Sequence, residues 1–304
     1  MKRPFFILLS FYLVSGAACY AASTGASFLD IGTSARAIAM GGAFVGVADD
    51  VSAMNYNPAG LEQIQEGGVV AQHTEWISDL SHDFIAAAFP TKAGTFGAGI
   101  VYLSQGTLDG RDSNGIANGM FGANDLAVTA SYSHLLTGSL AGGVNVKFIQ
   151  ETIANTTATG YAADMGILTP FLIPHLKAGV VLENIGPQMK FISEGYDLPA
   201  SISAGLGYTV GPILLALDIK QSLYETATDI SFGTEYALFP IFVLRAGYML
   251  PLTQTIGDDN SSPIATGFGI GVGFSFLGAH ADYAFVPYGD LGNTNRLSLS
   301  VNFR

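Results

Sequence analysis

The stretch FGIGVGFSF, residues 268–276, decides the fold. Phe268, Ile270, Val272, Phe274 and Phe276 share one face of an extended chain, with Gly269, Gly271, Gly273 and Ser275 on the other. Side chains of a strand alternate between two faces, so period two marks a strand. An apolar row backed by a small or polar row is what a sheet with lipid on one side requires. The GIGVG spacing is not a dinucleotide loop, because no helical pattern follows it.

Moving outward from this stretch, the pattern recurs. Leu297, Leu299, Val301 and Phe303 alternate with Arg296, Ser298, Ser300 and Asn302, and Leu215, Leu217 and Ile219 with Ala216, Asp218 and Lys220. Ile230, Phe232 and Tyr236 alternate with Ser231, Gly233 and Glu235. About fourteen such segments follow Gly67, an even number as bacterial barrels favour. They centre near Gln72, Ile85, Gly99, Val128, Val144, Ala163, Val180, Ala204, Leu217, Gly233, Arg245, Ile270, Asp282 and Leu299. Links between them alternate in length. Gln105 to Gly122, Gln150 to Thr157, Ile185 to Leu198, Gln221 to Ala227, Pro251 to Ile264 and Val286 to Asn293 read as long. Thr91 to Ala93, Leu135 to Gly138, Val210 to Pro212, Leu238 to Pro240 and Leu277-Gly278 read as short. Long outer loops and short periplasmic turns predict this alternation.

Composition points the same way. Of 304 residues, 49% are hydrophobic and only 12% charged, whereas soluble domains carry about 25% charged residues. Past the N-terminus no apolar run approaches the roughly 20 residues of a spanning helix. A closed barrel is the other structure that satisfies its backbone within lipid. The expected class is therefore an all-β transmembrane antiparallel barrel of about 14 strands over residues 67–304, with the lipid bilayer as its first partner. The net charge of −12 offers no basic footprint for nucleic acid.

Residues 1–21 have the order of a secretory signal peptide: Lys2 and Arg3, an apolar core from Phe5 to Val14, then Gly16, Ala17, Ala18 and Ala21. Cys19, the sole cysteine, falls inside it, with lipidation as the alternative fate. Cleavage leaves no cysteine for disulfides, Cys-ligated zinc, iron–sulfur clusters or nucleophilic catalysis. His73, His82, His134, His175 and His280 show no metal-ligand spacing, and there is no GxSxG, HExxH or P-loop lysine motif. Neither an enzyme nor a cofactor is expected.

Residues 22–66 differ in character. ARAIAMGGAFVGVADDVSAMNYNPAGLEQI, residues 35–64, has helical stretches broken by Gly41-Gly42 and by Asn57-Pro58. It is long enough to hang in the periplasm or to plug the lumen. Pro58 fixes its own φ and biases Asn57 away from helix. Gly41, Gly42 and Gly60 permit backbone conformations closed to other residues. Asp49 and Asp50 are placed to cap a helix or to pair with an inward base such as Lys147, Arg245 or Arg296.

This segment resembles the N-terminal signature of FadL-like outer-membrane barrels, and within them the PorV/PorQ branch. FLDIGTSAR, ARAIAMGGAFVGVADD and NPAGL carry the likeness, with YGDLGNTNRLSLSVNF, residues 288–303, at the other end. The resemblance spans the mature chain and implies a hatch made by residues 22–66, with Asn57, Pro58 and Ala59 at its core and Arg36 within it. It also implies residence in the outer membrane of a Gram-negative-type bacterium. In transport members the hatch shifts to pass a hydrophobic small molecule. In PorV-like members the barrel serves type IX secretion, holding secreted protein cargo at its outer face. A terminal aromatic is the usual signal to the barrel-assembly machinery; here Arg304 follows Phe303.

By parity Lys147, Asp164, Asp218, Lys220, Glu235, Arg245, Asp282 and Arg296 face the lumen. A Lys or Arg facing lipid costs about 2–4 kcal/mol at the midplane, which supports that register. The many inward Gly, Ala and Ser residues either admit something close to the wall or relieve crowding at bends. Apolar residues in two outer loops, Met189, Phe191, Ile192, Tyr196 and Leu198, then Leu223 and Tyr224, are candidate contacts for a ligand or protein partner, or pack locally.

Overall fold

The computed structural model describes residues 24–76, 80–111, 114–252, 267–289 and 292–303. The signal peptide, Cys19, Arg304 and most of the link from Pro251 to Ile264 lie outside these residues. Fourteen antiparallel strands close a barrel. They are β1 (Gly67–Glu75), β2 (Ser81–Thr91), β3 (Gly94–Arg111), β4 (Ala117–Thr137), β5 (Leu140–Ile153), β6 (Thr156–Pro170) and β7 (Leu176–Ile185). After a separate ribbon of β8 (Met189–Phe191) and β9 (Glu194–Tyr196) come β10 (Ser201–Val210), β11 (Ile213–Ser222), β12 (Thr228–Phe239) and β13 (Phe242–Pro251). β14 (Phe268–Phe276), β15 (Ala279–Pro287) and β16 (Asn293–Phe303) complete the wall, and β16 pairs with β1 from Gly67↔Phe303 to Glu75↔Asn295. Each of the fourteen segment centres falls in a wall strand.

The alternation sets which way each strand faces. Ile85, Phe89, Phe96, Ile100, Leu217, Phe274 and Leu299 stand exposed on the outside, while the alternate positions are buried within. No described helix is long and apolar enough to cross a membrane; the crossing elements are strands.

Two links differ from the sequence expectation. Residues 105–122 are mostly strand, because β3 and β4 remain paired as far as Arg111↔Ala117. The pairing of β2 with β3 stops at Ser81↔Ser104 and that of β4 with β5 at Ala123↔Ile153, so this hairpin projects past its neighbours. β5 and β6 likewise pair out to Ile153↔Thr156, leaving a two-residue turn in place of a long loop. Backbone pairing continues wherever two chains stay adjacent. Once the wall clears lipid, nothing demands that side chains alternate, so the sequence pattern lapses before the strand does.

Inside the ring lies the N-terminal segment. It contains α1 (Ala35–Ala39) and three 3-10 turns, Ser27–Asp30, Val51–Asn55 and Pro58–Gln63. Phe28, Met40, Phe44, Met54 and Leu61 of this segment are fully buried, so the core of the molecule occupies the lumen. Wall glycines receive it. Met54 rests on Gly97 and Gly99, Pro58 on Gly143, Asn57 on Gly166, Gly46 on Gly205 and Gly207, and Met40 on Gly247. A Cβ at Gly247 or Gly166 would overlap Met40 backbone or Asn57 Oδ1. Of the two roles open to inward small residues, close approach is the one the packing uses. Gly41 and Gly42, at φ +67 and +83, turn the chain out of α1.

Candidate functional site

The lumen is the candidate site, and two kinds of anchorage hold the segment within it. Asn57 is fully buried and uses its whole amide. Its Oδ1 accepts from the Ala59 N–H at 3.2 Å, capping the turn that Pro58 opens. Its Nδ2 donates to the carbonyls of Val45 at 3.1 Å and of Ile167 on β6 at 3.0 Å. Nearby, Lys147 Nζ meets Asp164 Oδ2 at 2.8 Å and Asn184 Oδ1 at 2.7 Å. Asn145 donates to Asp164 Oδ2 and to the Met54 carbonyl, each at 2.6 Å, and accepts from Ser131 Oγ. Asn184, at φ 56 where the β6–β7 register shifts, donates its N–H to Asp164 Oδ1. Every charge in this network is compensated, as burial demands.

The second anchorage is ionic. Arg36 Nη1 reaches Asp49 Oδ1 at 2.6 Å and Asp50 Oδ2 at 3.1 Å, and its Nε reaches Glu235 Oε2 at 2.8 Å. Arg245 joins Glu235 at 2.7 Å to Asp282 at 2.6 Å. Burial alone would lower the Arg36 pKa; Asp49, Glu235 and Asp50 outweigh it and raise it well above its ordinary value. Asp49 and Asp50 thus pair with Arg36 of their own segment, not with Lys147, Arg245 or Arg296. Asp50 also caps the second 3-10 turn through the Ser52 N–H. Spacing along the chain does not reveal which cation a turn brings round.

Asp218 of β11 accepts the N–H groups of Phe44 and Val45 at 2.7 and 2.8 Å. Lys220 pairs with Asp30 at 2.7 Å. Arg296 donates to the Gly32 carbonyl at 2.8 Å and stacks on Trp76, its Cζ 4.8 Å from the ring centre. Burial pushes the Tyr56 hydroxyl up to about 12, against the pull of Arg296, so it stays neutral.

All eight lumen-facing charges read from the sequence face inward. The same parity also applies to Lys177, which bonds Gln63 Oε1, to Glu183, in register with the inward Ser201, and to Asp229; it fails at Asn184, which is buried at the kink. Among the outer-loop candidates, Met189 and Leu198 are 1% exposed and belong to the lumen core. They cannot meet a partner, because the β8–β9 ribbon folds inward and Met189 packs on Gly160. Phe191 packs partly against the same core, and Tyr196 lies beside Gly25. Ile192, Leu223 and Tyr224 are exposed. Met120 and Ile116, on the projecting β3–β4 hairpin, are exposed too, and the loop assignment hid them.

Two cavities flank the segment. The larger, about 460 Å³, lies under the long-loop face and is lined by Leu29, Ile31, Gly41, Gly42, Val45 and Tyr56 from the segment. The smaller, about 280 Å³, opens among the short turns beside Arg36, Gly46, Val47 and Asp49. They share no lining residue, and the turn from Gly41 to Asp49 stands between them.

Solved structures share the fold. The P. putida toluene transporter TodX superposes with a TM-score of 0.67 at 15% identity, covering 90% of this chain and 99% of that one. The CymD monoaromatic hydrocarbon channel gives 0.64 at 13% identity, covering 90% and 98%. A Pseudomonas aeruginosa FadL homologue gives 0.61 at 12% identity, with the same coverage. In sequence, a UPF0164 protein of Treponema pallidum (strain Nichols) is 26% identical over 214 residues, 63% of this chain and 50% of that protein. The matched region thus spans half the length of that relative. The family model described as type IX secretion system protein PorV matches residues 17–214, well over half of the chain, which therefore belongs to the PorV family.

Proposed function

We propose that this chain is a non-enzymatic outer-membrane barrel that binds hydrophobic small molecules under its long-loop face and admits them when residues 22–66 act as a hatch. One observation carries the reading: the turn from Gly41 to Asp49 lines both cavities, with Gly41, Gly42 and Val45 on the larger and Gly46, Val47 and Asp49 on the smaller. Displacing that turn joins them into one path without opening the wall. Arg36, Asp49 and Asp50 are the release side of the hatch, and Asn57, Pro58, Ala59 and Gly60 the fixed side. The hydrocarbon channels that share the fold support a hydrophobic cargo.

Planar-bilayer recordings of the chain lacking Ala35 to Gly60 test the hatch. Conductance rises if the segment seals the lumen, and unchanged conductance refutes the seal. Radiolabelled-toluene uptake by cells with and without the protein tests the cargo.

Membership of the PorV family favours a second reading, in which secreted protein cargo is held at the long-loop face. The projecting β3–β4 hairpin, with Ile116 and Met120 exposed, is the surface for it, together with Ile192, Leu223 and Tyr224. Photocrosslinkers at Met120 and Leu223 capture cargo in cells under this reading and only lipid or solvent under the first.

A further inference from the structure

The larger cavity has two unlike walls, and the difference specifies an occupant. It reaches across the barrel from the β1–β16 side to the β7–β12 side. On the first side Trp76 and Tyr288 stand with ring centroids 5.5 Å apart. Arg296, only 1% exposed, is engaged with Gly32 and turns its guanidinium face to Trp76. Leu29, Ile31 and Tyr56 form the floor. On the far side stand Glu183, Asp218, Asp229 and Lys220. Lys220 is paired with Asp30, and among the described residues no cation lies within ion-pair distance of Glu183, Asp218 or Asp229. Asp218 is 5% exposed, and its Oδ1 has no hydrogen-bond partner.

We propose that this cavity selects small amphipathic organic cations, an aromatic body lying against Trp76 and Tyr288 and an ammonium group facing Glu183 and Asp229. The inference rests on the proposed function and names the ligand class of the same cavity. Carboxylates withdrawn from water need a compensating charge or donor, and an ammonium supplies both. A carboxylate-headed ligand would meet like charge on the far side. On the near side it would meet a guanidinium that has no ion pair among the described residues and an unpartnered Nε, but that is 1% exposed and lies against Trp76, out of a ligand's reach. A neutral hydrocarbon would fill the apolar side and leave Glu183, with only the Ser201 and Ser203 hydroxyls on it among the described residues, and Asp229 without a cation. The rings offer edge-to-face and offset contacts to an aromatic body.

Trp76 is the only tryptophan of the chain, so its fluorescence reports this cavity directly. The full chain in detergent is titrated at pH 7 with 2-phenylethylamine, 3-phenylpropionate and ethylbenzene, three probes of similar size. The amine is expected to quench at concentrations about tenfold below the other two, a difference of about 1.4 kcal/mol. In the E183Q/D229N variant the ratio of amine to ethylbenzene affinity falls by about the same factor. Equal affinity for the three, tighter binding of the carboxylate, or an unchanged ratio in the variant overturns the cation preference. Ethylbenzene binding without an amine advantage sinks this inference alone. If none of the three quenches, the small-molecule reading of the cavity falls with it.

Discussion

The two anchorages of the N-terminal segment differ in kind. Around Asn57 the bonds are dry: Asn57, Asn145, Lys147 and Asp164 are all at least nine-tenths buried, and each donor faces an acceptor. Around Arg36 the bonds are ionic and border the smaller cavity, with the Asp49 and Asp50 side chains more than a third exposed. Water can replace a lost partner at Arg36 but not at Asn57. The segment is therefore strongly held at one end and weakly at the other, which is what a hinged element needs.

Four substitutions test that asymmetry by thermal unfolding of the barrel in detergent. The largest loss is expected from K147A, about 3 kcal/mol, since it leaves Asp164 buried without its cation. N57A comes next at about 2 kcal/mol, because the Val45 and Ile167 carbonyls lose their donor in a dry site. G166A costs about 1–2 kcal/mol by forcing a Cβ onto Asn57 Oδ1. R36A costs least, about 1 kcal/mol or less, since Asp49 and Asp50 hydrate and Glu235 keeps Arg245. Its effect should appear instead as more frequent openings in planar bilayers. If R36A destabilises as much as N57A, or if N57A raises conductance while R36A does not, the hinge is at the wrong end.

The wall was largely legible from the chain. Phe268 to Phe276 shows why: one face meets lipid and the other meets the segment, so each residue carries its orientation in its own chemistry. The lapses came where lipid ceases to constrain side chains, as in residues 105–122, and where the backbone kinks, as at Asn184, whose burial the alternation does not foresee. The lumen was legible in composition but not in pairing. Lys147, Arg245 and Arg296 were plausible partners for Asp49 and Asp50, yet Arg36 lies nearest once the chain turns at Gly41 and Gly42. Met189 and Leu198 looked like loop residues because nothing local tells an apolar side chain under a ribbon from one on it.

Local periodicity by itself determined the class and the centres of the fourteen wall strands, because a strand in lipid must alternate and must pair its backbone. Only the tertiary structure decided that the inward glycines are seats for Met40, Gly46, Met54 and Asn57, that the two ends of the segment are held by different physics, and that carboxylates face aromatics across one cavity. Those are contacts between residues up to 264 positions apart, such as Gly32 with Arg296. Their energies depend on distance and burial, which no stretch of sequence carries within itself.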